Sequence, residues 1–419
     1  MRQRSFEWSE ADAVAAAIRD WAAEAAAEVD VAPIAAEVLE GGDAAVLRLG
    51  ERFDGVAPAQ LRVPAEELAT ALDSLDPDVR EALGVAAANI RSVAEAQLDD
   101  APRKVELPQG HAVVLQDVPV RSAGIYAPGG RAAYPSSVLM CCIPARAAGV
   151  KRLAVASPPG PDGLVNRAVL AACALCGADE VYAMGGAQAV VALACGTESV
   201  APVDVVAGPG NAWVQEAKRW AFGRVGIDSL AGPTELMLVA GHDTELQWAA
   251  LDLCAQAEHG ADSPLVAIAV EEAVLDGLAE ATEAAAAGRP SVTDARLALV
   301  HVPDLADAVD LANAFAPEHL QLMSEDAYAL AGQVRTAGCV FVGRSAATAF
   351  GDYAAGSNHV LPTGGTGRFS GPLGPGVFRR RIANVSLPGP AASALAPHVD
   401  ALARAEGFPV HGESARARE

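Results

Sequence analysis

Several short stretches of this chain carry side chains whose types suit chemistry better than packing. Gln256-Ala257-Glu258-His259-Gly260 ends a helical stretch and sets Gln256 and His259 at i and i+3, on one face. An amide oxygen and an imidazole nitrogen so placed can serve a metal ion. The same pair also reads as an exposed helix cap, with His at the negative end of the helix dipole. Ala316-Pro317-Glu318-His319-Leu320 sets an acid beside a histidine just after a proline, which forces an extended entry and predicts a loop or strand start. Glu and His facing one cavity suit general acid–base work; facing water they are two solvated side chains. Gly351-Asp352-Tyr353 and Ser357-Asn358-His359 add a carboxylate and a histidine near a Gly-rich turn, and Glu406 and His411 form a further acid–histidine pair near the C-terminus. Gly185-Gly186-Ala187-Gln188 and Gly208-Pro209-Gly210-Asn211 lie where a strand gives way to a helix, a position that favours phosphate groups. Glycine-rich βα turns are also common simply because the backbone reverses there. No GxGxxG loop follows any predicted strand. His111, His242, His301 and His398 lack such company and read as surface or packing residues.

The elements that must position these groups follow from periodicity. The first hundred residues read as helical, with Met1–Asp30 amphipathic and Asp76-Pro77 as an N-cap and first turn. From about residue 112, short β-rich runs alternate with helical stretches: 112–115, 123–126, 152–156, 180–183 and 203–207. Past Gly232-Pro233 the alternation resumes, with strands at 236–239, 265–270, 297–301 and 340–342 and helices at 244–258 and 271–287. Strand-turn-helix repeated in this way predicts parallel sheets covered by helices, in two α/β units with a seam near 232–235. The Gly/Pro-rich stretch 361–376 reads as a linker, followed by a tail with one helix, 391–406. Such a tail has too little core to fold alone, so it should dock on the body or on a partner subunit.

Composition narrows the function classes. The chain has 419 residues, 52% hydrophobic and 20% charged, which excludes a wholly disordered polymer. A formal net charge of -23 argues against a nucleic-acid reader, which needs a basic surface. The longest uncharged run in the apolar middle of the chain, Val181–Thr197, contains three glycines and a glutamine and reads as strand-turn-helix, not as a membrane span. Met1–Asp30 has acids throughout and no apolar core of a signal peptide. The cysteines, Cys141, Cys142, Cys173, Cys176, Cys195, Cys254 and Cys339, sit in apolar context and fit buried thiols in a reducing cytoplasm. Cys173 and Cys176 form a CxxC, but without the second pair that a zinc knuckle needs.

Taken together, AGIYAPGG (123–130), MGGAQAVVALACGTESV (184–200), AGPGNAWVQEAKR (207–219), FGRVGIDSLAGPTE (222–235), QAEHG (256–260), APEHL (316–320) and GDYAAGSNHVLPTGG (351–365) resemble the histidinol dehydrogenase family. The resemblance runs in family order from about residue 25 to the C-terminus. It implies two Rossmann-like α/β domains without a GxGxxG loop, plus small helical N- and C-terminal extensions. The implied division is 1–25 as a helical extension, 26–125 with 236–372 as a domain bearing the zinc and catalytic residues, 126–235 as the NAD-contacting domain, and 373–419 as a tail reaching the partner of a homodimer with a shared active site. It implies Gln256, His259, Asp352 and His411 as zinc ligands, one ion per subunit. It implies His319 as general base, Glu318 as the residue activating water, and Tyr126, Gln188 and Asn211 as NAD contacts. Thr234, His319 and Glu406, with the metal ligands, would contact the substrate. Thr234 stands where the family commonly has Ser, so the hydroxyl is kept. The implied reaction is a four-electron oxidation of L-histidinol through the aldehyde, using two NAD molecules, in the cytoplasm, with no nucleic acid or membrane partner. The alternatives are a related enzyme oxidising another small alcohol, such as a sulfonated propanediol, and a catalytically inactive binding protein on the same scaffold. Retention of Glu406 and His411 argues against the first, and retention of Glu318 and His319 against the second.

Overall fold

The computed structural model describes residues 1–23, 29–99, 101–129 and 133–419. In chain order the elements are β1 (Arg2–Phe6), α1 (Ala11–Ala23), α2 (Ala32–Asp54), α3 (Ala65–Asp73), α4 (Pro77–Ala96), β2 (Arg103–Glu106), β3 (Ala112–Pro119), β4 (Ser122–Tyr126), α5 (Pro135–Ala147), β5 (Arg152–Ser157), α6 (Arg167–Cys176), β6 (Glu180–Ala183), α7 (Gly186–Cys195), β7 (Val205–Ala207), α8 (Ala212–Ala221) and β8 (Gly226–Ile227). They continue with β9 (Leu236–Ala240), α9 (Leu246–Ala257), β10 (Pro264–Ala269), α10 (Glu272–Ala286), β11 (Arg296–His301), α11 (Leu305–Phe315), β12 (His319–Met323), α12 (Ala327–Ala331), β13 (Cys339–Val342), α13 (Thr348–Tyr353), β14 (Arg379–Ser386), α14 (Gly389–Ala405) and α15 (Pro409–Arg416). Asp76 caps α4 by accepting from Asp78 and Val79 backbone N–H groups, with Pro77 in the first turn, as its sequence predicts.

Two all-parallel sheets organise the chain. One runs β6-β5-β4-β7-β8 and the other β1-β11-β10-β9-β12-β13. Buried strands such as LMLVA (β9) and PLVAIA (β10) are apolar throughout because both faces are covered. Alternate side chains sort to the two faces. Leu153 and Val155 of β5 join α3, α4, α5 and α6, whereas Ala154 and Ala156 join α2, α7 and α8. In the other sheet Met237 and Val239 face α1, α11 and α12, and Leu236 and Leu238 face α9 and α10. Both strand orders reverse once, between β4 and β7 and between β9 and β12, the points where α/β folds open a crevice. A third, antiparallel sheet, β14-β3-β2, is pinned by a two-pronged Arg381–Asp117 pair at 2.8 and 2.7 Å.

The structure corrects several boundaries. Residues 1–25 are not only helical: Arg2–Phe6 is an edge strand paired in parallel with β11. Its polar sequence RQRSF hides the strand, because an edge leaves most of its side chains in water. The 25/26 boundary and Gly130 lie outside the described residues. Helices α2, α3 and α4 do not join the 236–372 unit; they cover the sheet of residues 122–227, through Val38 and Leu49 on one face and Leu68, Leu83 and Ile90 on the other. β4 belongs to that sheet as well, so a division after residue 125 cuts a strand. The stretch 361–376 is no free linker. Leu361, Thr363, Leu373 and Pro375 are buried, and a Cβ on Gly367 would lie 2.0 Å from the Thr336 carbonyl oxygen. Its glycines serve close backbone approach. The tail carries two helices, α14 and α15, not one, and is preceded by β14, which pairs with β3 of the same chain. Among the described residues no helix is long and apolar enough to cross a membrane.

Candidate active site

Glu318 and His319 stand where β12 begins, and Glu235 where the neighbouring parallel strand β9 begins, with His319 in register with Leu236. Ala316 ends α11 in the left-handed region, at φ 51°, and Pro317 turns the chain into β12. A non-glycine residue so placed costs roughly 1–2 kcal/mol, and strain of this kind concentrates at working sites. Glu318 and His319 are both buried. Glu318 Oε2 accepts from the Thr234 hydroxyl at 2.5 Å and from the Glu235 backbone N–H at 2.8 Å. Among the described residues Oε1 has no hydrogen bond. Burial pushes the Glu318 carboxyl up to about 7, against the pull of His319 and these donors. His319 Nδ1 donates to the Glu235 carbonyl at 3.0 Å, which leaves Nε2, 3.6 Å from Asp352 Oδ1, as the free nitrogen. Burial opposes its charge, but the Glu318 and Asp352 carboxylates outweigh burial and lift it to about 9.

The predicted metal-ligating residues gather only in part. Gln256, at the end of α9, is buried and donates through Nε2 to Thr234 Oγ1 at 2.6 Å, so its amide oxygen is left as a ligand. Burial raises the carboxyl of Asp352, on α13, but His319, His359 and His259 together outweigh it and lower it. His259 is lowered by partial desolvation, with Asp352 opposing. An amide oxygen, a carboxylate and an imidazole are an oxygen/nitrogen set that suits zinc. A cation on Asp352 competes with His319 for that carboxylate, drawing the imidazole back toward its neutral form. Among the described residues no three His, Cys, Asp or Glu side chains converge on one point, so this chain alone supplies an open set.

His411 and Glu406 are not brought to the others. Both are exposed, the His411 ring lying tilted against Phe408 with ring centroids 5.5 Å apart. Among the described residues neither makes a hydrogen bond or ion pair to Gln256, His259, Glu318, His319 or Asp352. α14 and α15 pack chiefly on each other, around Asp400 and Gly412. Val399, Leu402, Phe408 and Val410 on this pair are exposed.

Tyr126, Gln188 and Asn211 do come together. All three line a cleft of about 1450 Å³ at the carboxyl ends of β4, β6 and β7. That volume exceeds the roughly 300–1,000 Å³ of drug-sized ligand sites. Tyr126 accepts at its hydroxyl from the Gly186 N–H at 3.1 Å, and burial pushes its phenol up to about 12, so it stays neutral. Gln188 is buried, and among the described residues its Nε2 has no hydrogen-bond partner. Asn211 caps α8 by accepting from Trp213 and Val214 N–H groups. Glu318 and His319 do not line this cleft.

Sequence reasoning singled out one further participant without giving it a role and passed over two others. His359 is half-buried, with Nδ1 2.9 Å from the Asp352 carbonyl oxygen and Nε2 3.2 Å from the Ser137 hydroxyl; its place beside Asp352 in GDYAAGSNH was the signal for it. Glu235, which ends the stretch FGRVGIDSLAGPTE, and the half-buried Arg19 form a pair behind Glu318, and nothing in the local sequence of either points to the other.

The histidinol dehydrogenase family model matches residues 18–419. A histidinol dehydrogenase of Thermobifida fusca is 46% identical, covering 94% of this chain and 93% of that protein. One from Pseudomonas aeruginosa is 44% identical, covering 93% and 90%. The crystal structure of histidinol dehydrogenase from Elizabethkingia anophelis superposes with a TM-score of 0.91 at 28% identity, covering 99% of this chain and 97% of that one.

Proposed function

The chain belongs to the histidinol dehydrogenase family, and we propose that it oxidises L-histidinol to L-histidine through the bound aldehyde, in two NAD-dependent steps at a zinc site. The observation that carries this reading is the buried Glu318–His319 pair set against the Gln256, His259 and Asp352 donors. Zinc held by these donors and by His411 of a second copy supplies an orienting centre for the amine and imidazole of the substrate. Alcohol to acid removes four electrons and each nicotinamide accepts two, so two NAD molecules are used per turnover.

In this reading His319 takes the alcohol proton at Nε2, because its Nδ1–H is engaged by the Glu235 carbonyl and only the other nitrogen is free to accept. Glu318 takes a proton from the water that attacks the aldehyde. A carboxyl near 7 releases and regains a proton with little driving force in either direction at neutral pH. Thr234 fixes one oxygen of that carboxylate and also receives Gln256, so one hydroxyl ties the water-activating Glu318 to the metal-binding face. Closure around the pair keeps the aldehyde from side reactions.

Tyr126, Gln188 and Asn211 are assigned to NAD, in the cleft at the first sheet's switch point. The carboxyl ends of that sheet carry these residues, and the amino ends of the other carry Glu318 and His319. We assign the catalytic unit to β1, α1 and residues 236–372, and the nucleotide unit to residues 32–96 and 122–227. The exposed apolar face of α14–α15 and the isolation of Glu406 and His411 support a tail that completes the site of a second copy. The free cysteines, five of them buried, support a reducing compartment, taken here as the cytoplasm.

The test is NADH absorbance with purified protein, L-histidinol and NAD. Turnover lost on chelation and restored by zinc is expected. Turnover of a sulfonated propanediol but not of histidinol overturns the substrate assignment.

A further inference from the structure

Glu235 makes contacts that its place just before a buried strand does not require. Its backbone N–H donates to Glu318 Oε2 at 2.8 Å, and its own carboxylate accepts from the Glu318 backbone N–H at 3.3 Å. Its carbonyl oxygen receives the His319 backbone N–H at 3.2 Å and His319 Nδ1 at 3.0 Å. One residue therefore touches both members of the pair, through backbone and side chain together. A buried carboxylate beside another carboxylate is costly unless a cation meets it. Arg19, on α1, meets it as a fork: NH1 bonds Oε1, and NH2 lies 3.2 Å from Oε2. The same guanidinium donates to the Phe315 carbonyl at 2.7 Å, just ahead of the strained turn that delivers Glu318, and sits 3.7 Å from the centre of the Phe315 ring. The Gly364 N–H, from the stretch that reads as a linker, supplies a further donor to Glu235 Oε1 at 3.1 Å. Arg19 and Glu235 are 25% and 3% exposed at the side chain, so this pair is shielded from bulk water.

We propose that Glu235, held by Arg19, is a positioning residue for catalysis: it fixes the tautomer of His319 and the aim of the Glu318 carboxylate. The proposal rests on the reading of Glu318 and His319 as the catalytic pair. It gives α1 a role in catalysis although no residue of α1 touches the substrate. The Arg19 fork and the Gly364 N–H occupy the acceptor sites of the Glu235 carboxylate that the Glu318 N–H does not use. A glutamine at 235 would turn an N–H toward one of these donors, so Glu235→Gln is a sharp perturbation at constant shape. Lysine at 19 restores the charge but not the fork.

The experiment compares Glu235→Gln, Arg19→Ala and Arg19→Lys with the parent for kcat, KM for histidinol, calorimetric histidinol binding and thermal melting. Displacement of a catalytic group by about 1 Å costs on the order of 100-fold in rate. Expected is a kcat fall of that order for Glu235→Gln and Arg19→Ala, with KM and calorimetric affinity within about threefold, partial recovery in Arg19→Lys, and rescue of Arg19→Ala by guanidinium but not by equal sodium chloride. Where Arg19→Ala fails to fold, Glu235→Gln carries the same test. Arg296→Lys is the structural control, since Arg296 anchors the end of α1 at the Trp21 and Ala22 carbonyls without touching the site. The proposal is overturned if Glu235→Gln and Arg19→Ala keep kcat within about twofold, or if Arg296→Lys lowers kcat as much as Arg19→Ala. His319→Asn and Glu318→Gln in the same series separate the two claims. Normal turnover in both would overturn the catalytic pair itself, whereas their loss beside an unaffected Glu235→Gln would overturn only the positioning role.

Discussion

Lys218 and Asp228 form an ion pair inside the nucleotide unit, with Nζ 2.5 Å from Oδ1 and side chains 1% and 2% exposed. At that distance and an effective dielectric of 20 the gross attraction is about 7 kcal/mol. Desolvation of both charges offsets most of it, so the pair's net worth is small, while stranding either charge costs about 3–5 kcal/mol. The pair also holds the glycine-rich turn that ends in Asn211. Asp228 Oδ2 accepts from the Gly208 N–H at 2.8 Å, and Lys218 Nζ donates to the Gly208 carbonyl at 3.1 Å. Gly208 sits at φ 124°, where a Cβ would lie 2.2 Å from the Tyr126 carbonyl oxygen, so no side chain can stand at this position to fix it. Asp228→Asn removes the charge and keeps an acceptor for Gly208; Lys218→Met removes its partner. Each single variant should lose about 3–5 kcal/mol, and the double variant should lose less than the sum by at least about 2 kcal/mol. Urea unfolding followed by Trp213 and Trp220 fluorescence, both on α8, measures this directly. KM for NAD should rise in the single variants while KM for histidinol holds. Single-variant losses below about 1 kcal/mol, or strict additivity in the double variant, would refute the reasoning.

His319→Asn should cut turnover by about 10²–10⁴-fold with calorimetric histidinol affinity retained, since the general base is lost and the shape is kept. Tyr126→Phe leaves the Gly186 N–H without its acceptor and should raise KM for NAD by about fivefold, equivalent to about 1 kcal/mol, with little change for histidinol. Asp352→Ala and His411→Ala should each be inactive alone. Mixed and reassociated they should recover about a quarter of parental activity, because half the dimers would carry one intact site; no recovery would place His411 in its own subunit's site.

The legible part of the molecule was that with strong local signals. β5, β6, β9 and β10 announce themselves as apolar runs bounded by Gly or Pro, and Asp76-Pro77 marks the start of α4. β1 did not, because an edge strand with four exposed residues out of five has no apolar alternation to read. α15 was masked because Gly407 and Pro409 read as the end of the tail's helix, whereas Pro409 opens a second one. The placement of α2, α3 and α4 on the nucleotide sheet is tertiary: their apolar faces would suit either sheet, and only packing decides. At the site, adjacency in sequence exposed Glu318 with His319, and the helix spacing exposed Gln256 with His259. The partnership of Arg19 and Glu235 was illegible because it spans 216 residues, and the stretch that ends in Glu235 does not point to Arg19. Glycine misled in the stretch 361–376, where it allows tight docking against Thr336 and reads in isolation as a linker.

The central claim is that one site carries out two successive oxidations, with Glu318 activating water between them. The most direct measurement is the number of NADH molecules formed per L-histidinol consumed, at limiting histidinol, excess NAD and full zinc loading. Two per histidinol is predicted for the parent protein, with a slowed second equivalent in Glu318→Gln. One per histidinol in the parent, with free aldehyde in solution, would contradict it.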